Sequence, residues 1–339
     1  MSKTEHTGGR VLLALGVLLA ALFVLSFCLG RYGVDAGTTC RILLSPLLPL
    51  EPTWTDHEYA AVLNIRLPRI VLACLVGCCL SSAGAAYQGV FQNPMASPDV
   101  LGASSGASFG AALAILVGVG NQGTTLSAFF WSLATVVLVY LVGQRAPGDR
   151  VLNLVLAGMV ISSLFTAATS YLKLVADPTN QLPEITYWLL GSFTSASYQK
   201  ILIGCPLIVA GIIIIYLLRW RLNILSLSDD EARASGINIK QTRMLFIVAS
   251  TLVTASAVSM CGQVGWIGLL IPHASRMLVG SNNRYVVPLS LSLGASFMIL
   301  IDTLSRSISI IELPLSILTA IIGAPAFISL LNKTRSNLQ

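Results

Sequence analysis

The 339 residues include only 10% charged side chains against 55% hydrophobic ones, with a formal net charge of +6 and a mean hydropathy of +0.81. A soluble domain carries about 25% charged residues, so this composition excludes a water-soluble enzyme. The modest positive charge gives no support to nucleic-acid binding and reads instead as a signal of membrane topology.

A spanning helix needs about 20 apolar residues, because the hydrocarbon core is about 30 Å thick. That ruler predicts about ten spans, near 11–30, 61–86, 100–120, 124–144, 151–174, 199–220, 243–263, 265–280, 286–306 and 313–332. Gly262, Gly265, Gly268 and Pro272 interrupt the seventh and eighth. So many spans leave room only for loops and tails. The expectation is an all-α polytopic protein, one transmembrane domain over 1–339 with no catalytic domain.

The first span is read as a retained helix. Its apolar run from Val11 to Leu29 exceeds the 7–15 residues of a secretory signal, and bulky Phe27 precedes Cys28 where a lipoprotein signal needs a small residue. In "RLPR" (66–69), Arg66 and Arg69 stand at the mouth of the second span. Arginines at helix ends commonly reach for headgroups; the alternative is a basic rim that receives an acidic partner. Cys74, Cys78 and Cys79 share that second span without a histidine nearby and read as small core residues, so no metal site is predicted.

"QNPMASPDVLG" (92–102) then breaks the apolar pattern. Asn93-Pro94 and Ser97-Pro98 are turn-forming pairs, and irregular backbone at membrane depth is tolerated only against protein or a water-filled path. The stretch is therefore a tight turn at the membrane face or a broken segment lining a path. Gly102, Gly106 and Gly110 follow at helical spacing beside Ala103, Ala107 and Ala111, a small-residue face for helix packing.

The longest polar insert, "RWRLNILSLSDDEARASGINIKQTR" (219–243), holds five basic and three acidic residues. Ser228 as cap and Glu231 three residues later predict a short helix over about 229–235, stopped at Gly236. It could rest on the lipid interface or serve as a handle for another protein. Asp302 lies in the ninth span, four residues before Arg306, with which it could pair; an intramembrane acid is a functional candidate by default. With both termini cytoplasmic, the twenty basic residues divide thirteen inside to seven outside, the asymmetry of the positive-inside rule. No GxxxxGK[ST], HExxH or GxSxG motif occurs. His6, His57 and His273 are dispersed, and His273 reads as a turn residue after Pro272.

Four ordered stretches together resemble the FecCD-type permeases, the membrane subunits of ABC importers for ferric siderophores, haem and cobalamin. They are "RLPRIVLACLVGCCLSSAGAAYQGVFQNPMASPDVLGASSGA" (66–107), "DDEARASGINIKQTR" (229–243), "GQVGWIGLLIPHASRMLVG" (262–280) and "ELPLSILTAIIGAPAFISLL" (312–331). The resemblance implies a type II importer fold of ten helices, paired with a second copy or a close homologue, in the cytoplasmic (inner) membrane of a prokaryote. The chain itself would not be an enzyme: ATP and Mg would be bound by two cytoplasmic ATPase subunits. These would grip a coupling segment of about 226–243, through Asp229, Asp230, Glu231, Ala232, Arg233, Ala234, Ser235 and Gly236. An extracytoplasmic binding protein would dock on Arg66, Arg69 and Arg306. Asn93 and Met95 would form the cytoplasmic gate, Met95 replacing the more usual leucine. Spans five and ten would line the path, with Ser162, Ser163, Thr166, Thr169 and Ser170 as the polar face of span five. The expected cargo is a ferric siderophore, then cobalamin or haem, then an oxyanion such as molybdate. An ion-coupled secondary transporter would call for intramembrane acids, of which Asp302 is the candidate.

Overall fold

The computed structural model describes residues 3–30, 32–227, 229–309 and 311–336, without the side chains of 3–7, 229, 230, 233 and 331–336. Ser228, the expected cap, and the side chains of Asp229, Asp230 and Arg233 lie outside that description.

Every regular element among the described residues is helical. α1 (Lys3–Cys28) is followed by α2 (Ala36–Leu44), whose start is capped by the Asp35 carboxylate accepting from the amides of Gly37 and Thr38. α3 (Asp56–Tyr59) opens with a reciprocal Thr55–Glu58 capping box and continues through a π-helical stretch (Ala60–Arg66) into α4 (Leu67–Val90). A 3-10 turn (Pro98–Leu101) leads into α5 (Ala103–Val117), then α6 (Gly120–Arg145) and α7 (Arg150–Val175). The remaining helices are α8 (Gln181–Leu190), α9 (Tyr198–Leu218), α10 (Arg221–Leu225), α11 (Asp229–Ala234), α12 (Ile239–Cys261), α13 (Ile267–Val279), α14 (Asn283–Ser307) and α15 (Leu315–Ser336).

Seven helical runs among the described residues are long and apolar enough to cross a membrane; α5, α13 and the described apolar part of α15 are shorter. These ten occupy the ten predicted positions, and the chain is an integral membrane protein. The eighth span differs from its expectation. α13 has 13 residues, about 20 Å at 1.5 Å per residue, short of the hydrocarbon core. It starts only after Trp266 at φ +72°, the residue where the glycine-rich approach ends. His273, expected in a turn, sits inside α13 with its ring 5.9 Å from that of Phe327.

α4 is the hub, buried along most of its length and packed against α12, α13 and α14. Its glycines explain how. A methyl group on Gly77 would collide with the backbone of Gly294 in α14, and one on Gly84 with the backbone of Gly268 in α13. Lipid tails are as apolar as leucine, so helices in a bilayer gain by close backbone approach rather than by hiding apolar surface from water. α5 meets α6 in the same way: a Cβ on Gly106 would lie 2.6 Å from the Trp131 carbonyl oxygen, and one on Gly110 2.5 Å from that of Ser127. Gly102 also lies close on Thr135 of α6 and Ser162 of α7, and it has a second role. At φ +76° it makes the left-handed corner between the 3-10 turn and α5, which a side chain resists.

Candidate functional site

α4 runs between two unlike ends. At its start, three arginines and two acids form one buried network. Asp302, fully buried in α14, takes Arg69 Nε at 2.6 Å and lies 3.3 Å from Arg306 Nε. Arg69 Nη1 also meets the Glu312 carboxylate at 2.9 Å, and Thr194 donates its hydroxyl to Glu312 at 3.0 Å. Arg66 donates to the carbonyls of Phe27, at 2.5 Å, and Tyr32. Arg306 donates to the carbonyls of Leu29, at 2.7 Å, and Ser26. The last carbonyls of a helix have no partner within it, so Arg66 and Arg306 tie down the end of α1. The relative exposures of Arg66, Arg69 and Arg306 are 5%, 6% and 6%. The basic rim expected here is thus an internal network, and its accessible member is Glu312, 28% exposed at the side chain.

At the far end of α4 the chain reverses through residues 91–97. Gln92 adopts φ +50°, and Asn93 accepts the Met95 amide on its side chain at 2.8 Å. Asn93 and Met95 are both exposed, Met95 at 52%. Beside this turn lies α10, with Leu222 and Leu225 buried against the core and Asn223 bonded to Asn282 and Asn283 at the start of α14. The Gln92 amide donates to the Leu225 carbonyl at 2.5 Å. α11 follows, with Ala232 buried and Glu231, Ala234 and Ser235 exposed, and Gly236 at φ +74° ends it.

Between the ends sits a cavity of about 220 Å³ lined by Asp99, Ser104, Ser105, Ser162 and Gln263 with Val264 and Gly265. Ser104 donates to Asp99, and Gln263 Nε2 donates to Ser108 Oγ at 2.7 Å. Of the five α7 hydroxyls singled out by sequence, Ser162 lines this cavity. The other four donate to their own helix: Ser163 to Met159, Thr166 to Ser162, Thr169 to Phe165 and Ser170 to Thr166, at 2.8–3.0 Å. Ser163, Thr166 and Ser170 are exposed on the single chain, whereas Thr169 is buried.

Sequence reasoning did not single out Glu312, Gln263 or Gln92. Glu312 carried a signal, an acid opening the last apolar run. The two glutamines carried none, because only folding brings Gln263 to α5 and Gln92 to α10.

The FecCD transport family matches residues 18–333. The molybdate import system permease protein MolB of Haemophilus influenzae is 38% identical over 319 residues, covering 94% of each chain. A permease assigned to iron chelatin transport in Helicobacter pylori is 42% identical over 274 residues, covering 81% of this chain and 83% of its own. Among solved structures, one described as a metal-chelate type ABC transporter in an inward-facing conformation superposes with a TM-score of 0.86 at 37% identity, covering 96% of this chain and 99% of its own.

Proposed function

Since this chain belongs to the FecCD transport family, the permease subunits of ABC importers, we propose that it carries a ferric siderophore across the cytoplasmic membrane. The work comes from ATP hydrolysed on two partner subunits. The observation that supports this cargo is the chemistry of the central cavity. Asp99 is its charged group, among hydroxyls and an amide, with no cation in its lining. A dianionic oxyanion entering there meets a like charge, which disfavours its passage. A chelate that presents hydroxyl and carbonyl groups meets hydrogen-bond partners. The second reading is molybdate, favoured by the similarity to MolB over nearly the whole chain.

In this reading both termini are cytoplasmic, and the turn at 92–97 together with α10 and α11 faces the ATPases. The thirteen-to-seven division of basic residues supports that orientation. Two copies of the chain enclose the path, with the exposed hydroxyls of α7 turned toward it. ATP-driven closure of the ATPases displaces 226–243, and the copies rock between outward-open and inward-open states, a shift limited by the differential binding of nucleotide to the two. Asn93 and Met95 close the cytoplasmic exit. A binding protein docks at the opposite end, where an incoming carboxylate competes with Glu312 for Arg69.

The test is uptake into proteoliposomes that hold the chain with the ATPase and binding protein encoded beside it. ATP-dependent accumulation of a ferric siderophore is the expected result. Accumulation of molybdate with none of ferric siderophore moves the assignment to the second reading.

A further inference from the structure

Gln92 is an unusual residue for its position. Its backbone lies at φ +50°, the left-handed region that a non-glycine residue enters at a cost. That backbone closes α4, with the Asn93 amide bonding back to the Gln88 carbonyl in the way a terminal glycine usually permits, and the exposed side chain is not packed in the core. What its side chain does instead is reach across to α10, donating to the Leu225 carbonyl at 2.5 Å and approaching that of Leu227 at 3.4 Å. Leu225 ends α10, and Leu227 lies two residues before Asp229, where α11 begins. The next residue after Gln92 is Asn93, whose side chain shapes the Met95 turn.

The other side of this turn is fixed. Gln88 accepts from Arg276 in α13, and the Gln88 carbonyl accepts the Asn93 amide at 3.2 Å. Gly89 packs directly on Leu222. The turn is thus clamped to α13 through Gln88, while through Gln92 it is tied to the strip of chain that leads into α11.

We propose that Gln92 is a positioning residue for transport, the tether through which displacement of α11 is passed to the Asn93–Met95 constriction. The inference rests on the reading above, in which α11 receives the ATPase and the turn is the exit gate. A bond from a side-chain amide to two main-chain carbonyls suits this task. It ties the turn to the backbone at the point where α10 passes into the displaced segment, Leu225 lying just before 226–243 and Leu227 within it, whatever side chains that segment carries.

Three substitutions test it in the assembled complex with its ATPase subunits and binding protein. Gln92→Glu keeps the shape but replaces the donor with a carboxylate that repels the two carbonyls. Gln92→Gly removes the tether while relieving the left-handed backbone, and Gln92→Ala removes the tether and keeps the strain. The readouts are ATP hydrolysis, substrate taken up per ATP, thermal stability, and maleimide labelling of a cysteine placed by Met95→Cys, with and without a non-hydrolysable ATP analogue. The expected result is ATP hydrolysis within about twofold of the parent and uptake per ATP lowered about tenfold in all three. Nucleotide should no longer alter labelling at position 95, although Gln92→Gly is the more stable of the glycine and alanine variants.

Unchanged uptake per ATP in Gln92→Gly and Gln92→Glu would overturn the tether, as would coupling that simply follows stability across the three. Labelling at position 95 that ignores nucleotide even with Gln92 intact, while ATP-driven uptake persists, also overturns it, since the turn is then no gate. Failure of the parent complex to couple ATP to uptake at all would instead remove the importer reading on which the tether rests.

Discussion

Asp302 shows how one residue can hold several helices in lipid. Its carboxylate meets Arg69 of α4 and Arg306 of its own helix, and those arginines reach α1 and Glu312 in turn. A buried charge left without its counter-charge costs about 3–5 kcal/mol, whereas a half-exposed ion pair contributes about 1 kcal/mol or less. Asp302→Asn is therefore expected to lower thermal stability in detergent far more than Glu312→Gln, read by fluorimetric melting. Equal melting temperatures would refute the network as a structural clamp. Glu312→Gln has a second expected effect: with its competitor gone, Arg69 should bind an acidic binding protein more tightly at low salt. Weaker docking would count against Arg69 as the contact. The pairing of Asp302 with Arg306 was legible from their spacing of four, and so was the position of the arginines at a helix mouth. Their burial was not legible, because the carbonyls that Arg66 and Arg306 bind lie at the end of α1 and just beyond it, about 35–40 and 280 residues away in sequence.

At the scale of elements, glycine spacing carried much of the fold. The Gly102–Gly106–Gly110 ladder pointed to close helix contact, and Gly106 and Gly110 do face α6. Gly102 shares the close contact, a Cβ there coming within 2.7 Å of Ser162 in α7 and 3.1 Å of Thr135 in α6, and it also makes a corner, a second role that periodicity does not reveal. Gly84 stood in no ladder, yet it sets the tightest approach between α4 and α13. Gly84→Ala is expected to force these helices apart at a cost of about 1–3 kcal/mol, whereas Gly16→Ala in α1, with nothing within 4 Å, should leave stability within measurement error. Comparable losses in the two variants would show that the backbone contact at Gly84 is not a determinant of packing. Helix length was read less well. A ruler of about 20 apolar residues finds full spans, but α5, expected to 120, stops where Gly118 turns left-handed, and α13, expected over 265–280, starts only after Trp266. α8 went unforeseen because a run of ten residues containing Pro183 falls below any spanning window. Within the insert at 219–243 the short helix expected over about 229–235 is α11, closed by Gly236, since a terminal glycine is a local signal; its expected cap, Ser228, lies outside the described residues, and α10 was not foreseen.

For the whole molecule, ten apolar helices among the described residues occupy the expected spanning positions. The sequence lacks a phosphate-binding loop, and the buried acid in α14 lies between two arginines. The fold offers one end built around Glu312 and its arginines, another built around α10, α11 and the 92–97 turn, and a cavity lined by Asp99, serines and Gln263 between. The direct measurement is concentrative uptake in sealed proteoliposomes holding the chain alone, or the chain with its ATPase and binding protein, under an imposed proton or sodium gradient and with or without ATP. The expected result is no accumulation by the lone chain under any gradient, and accumulation by the complex that requires ATP and survives collapse of the gradient. Gradient-driven accumulation by the lone chain would contradict it.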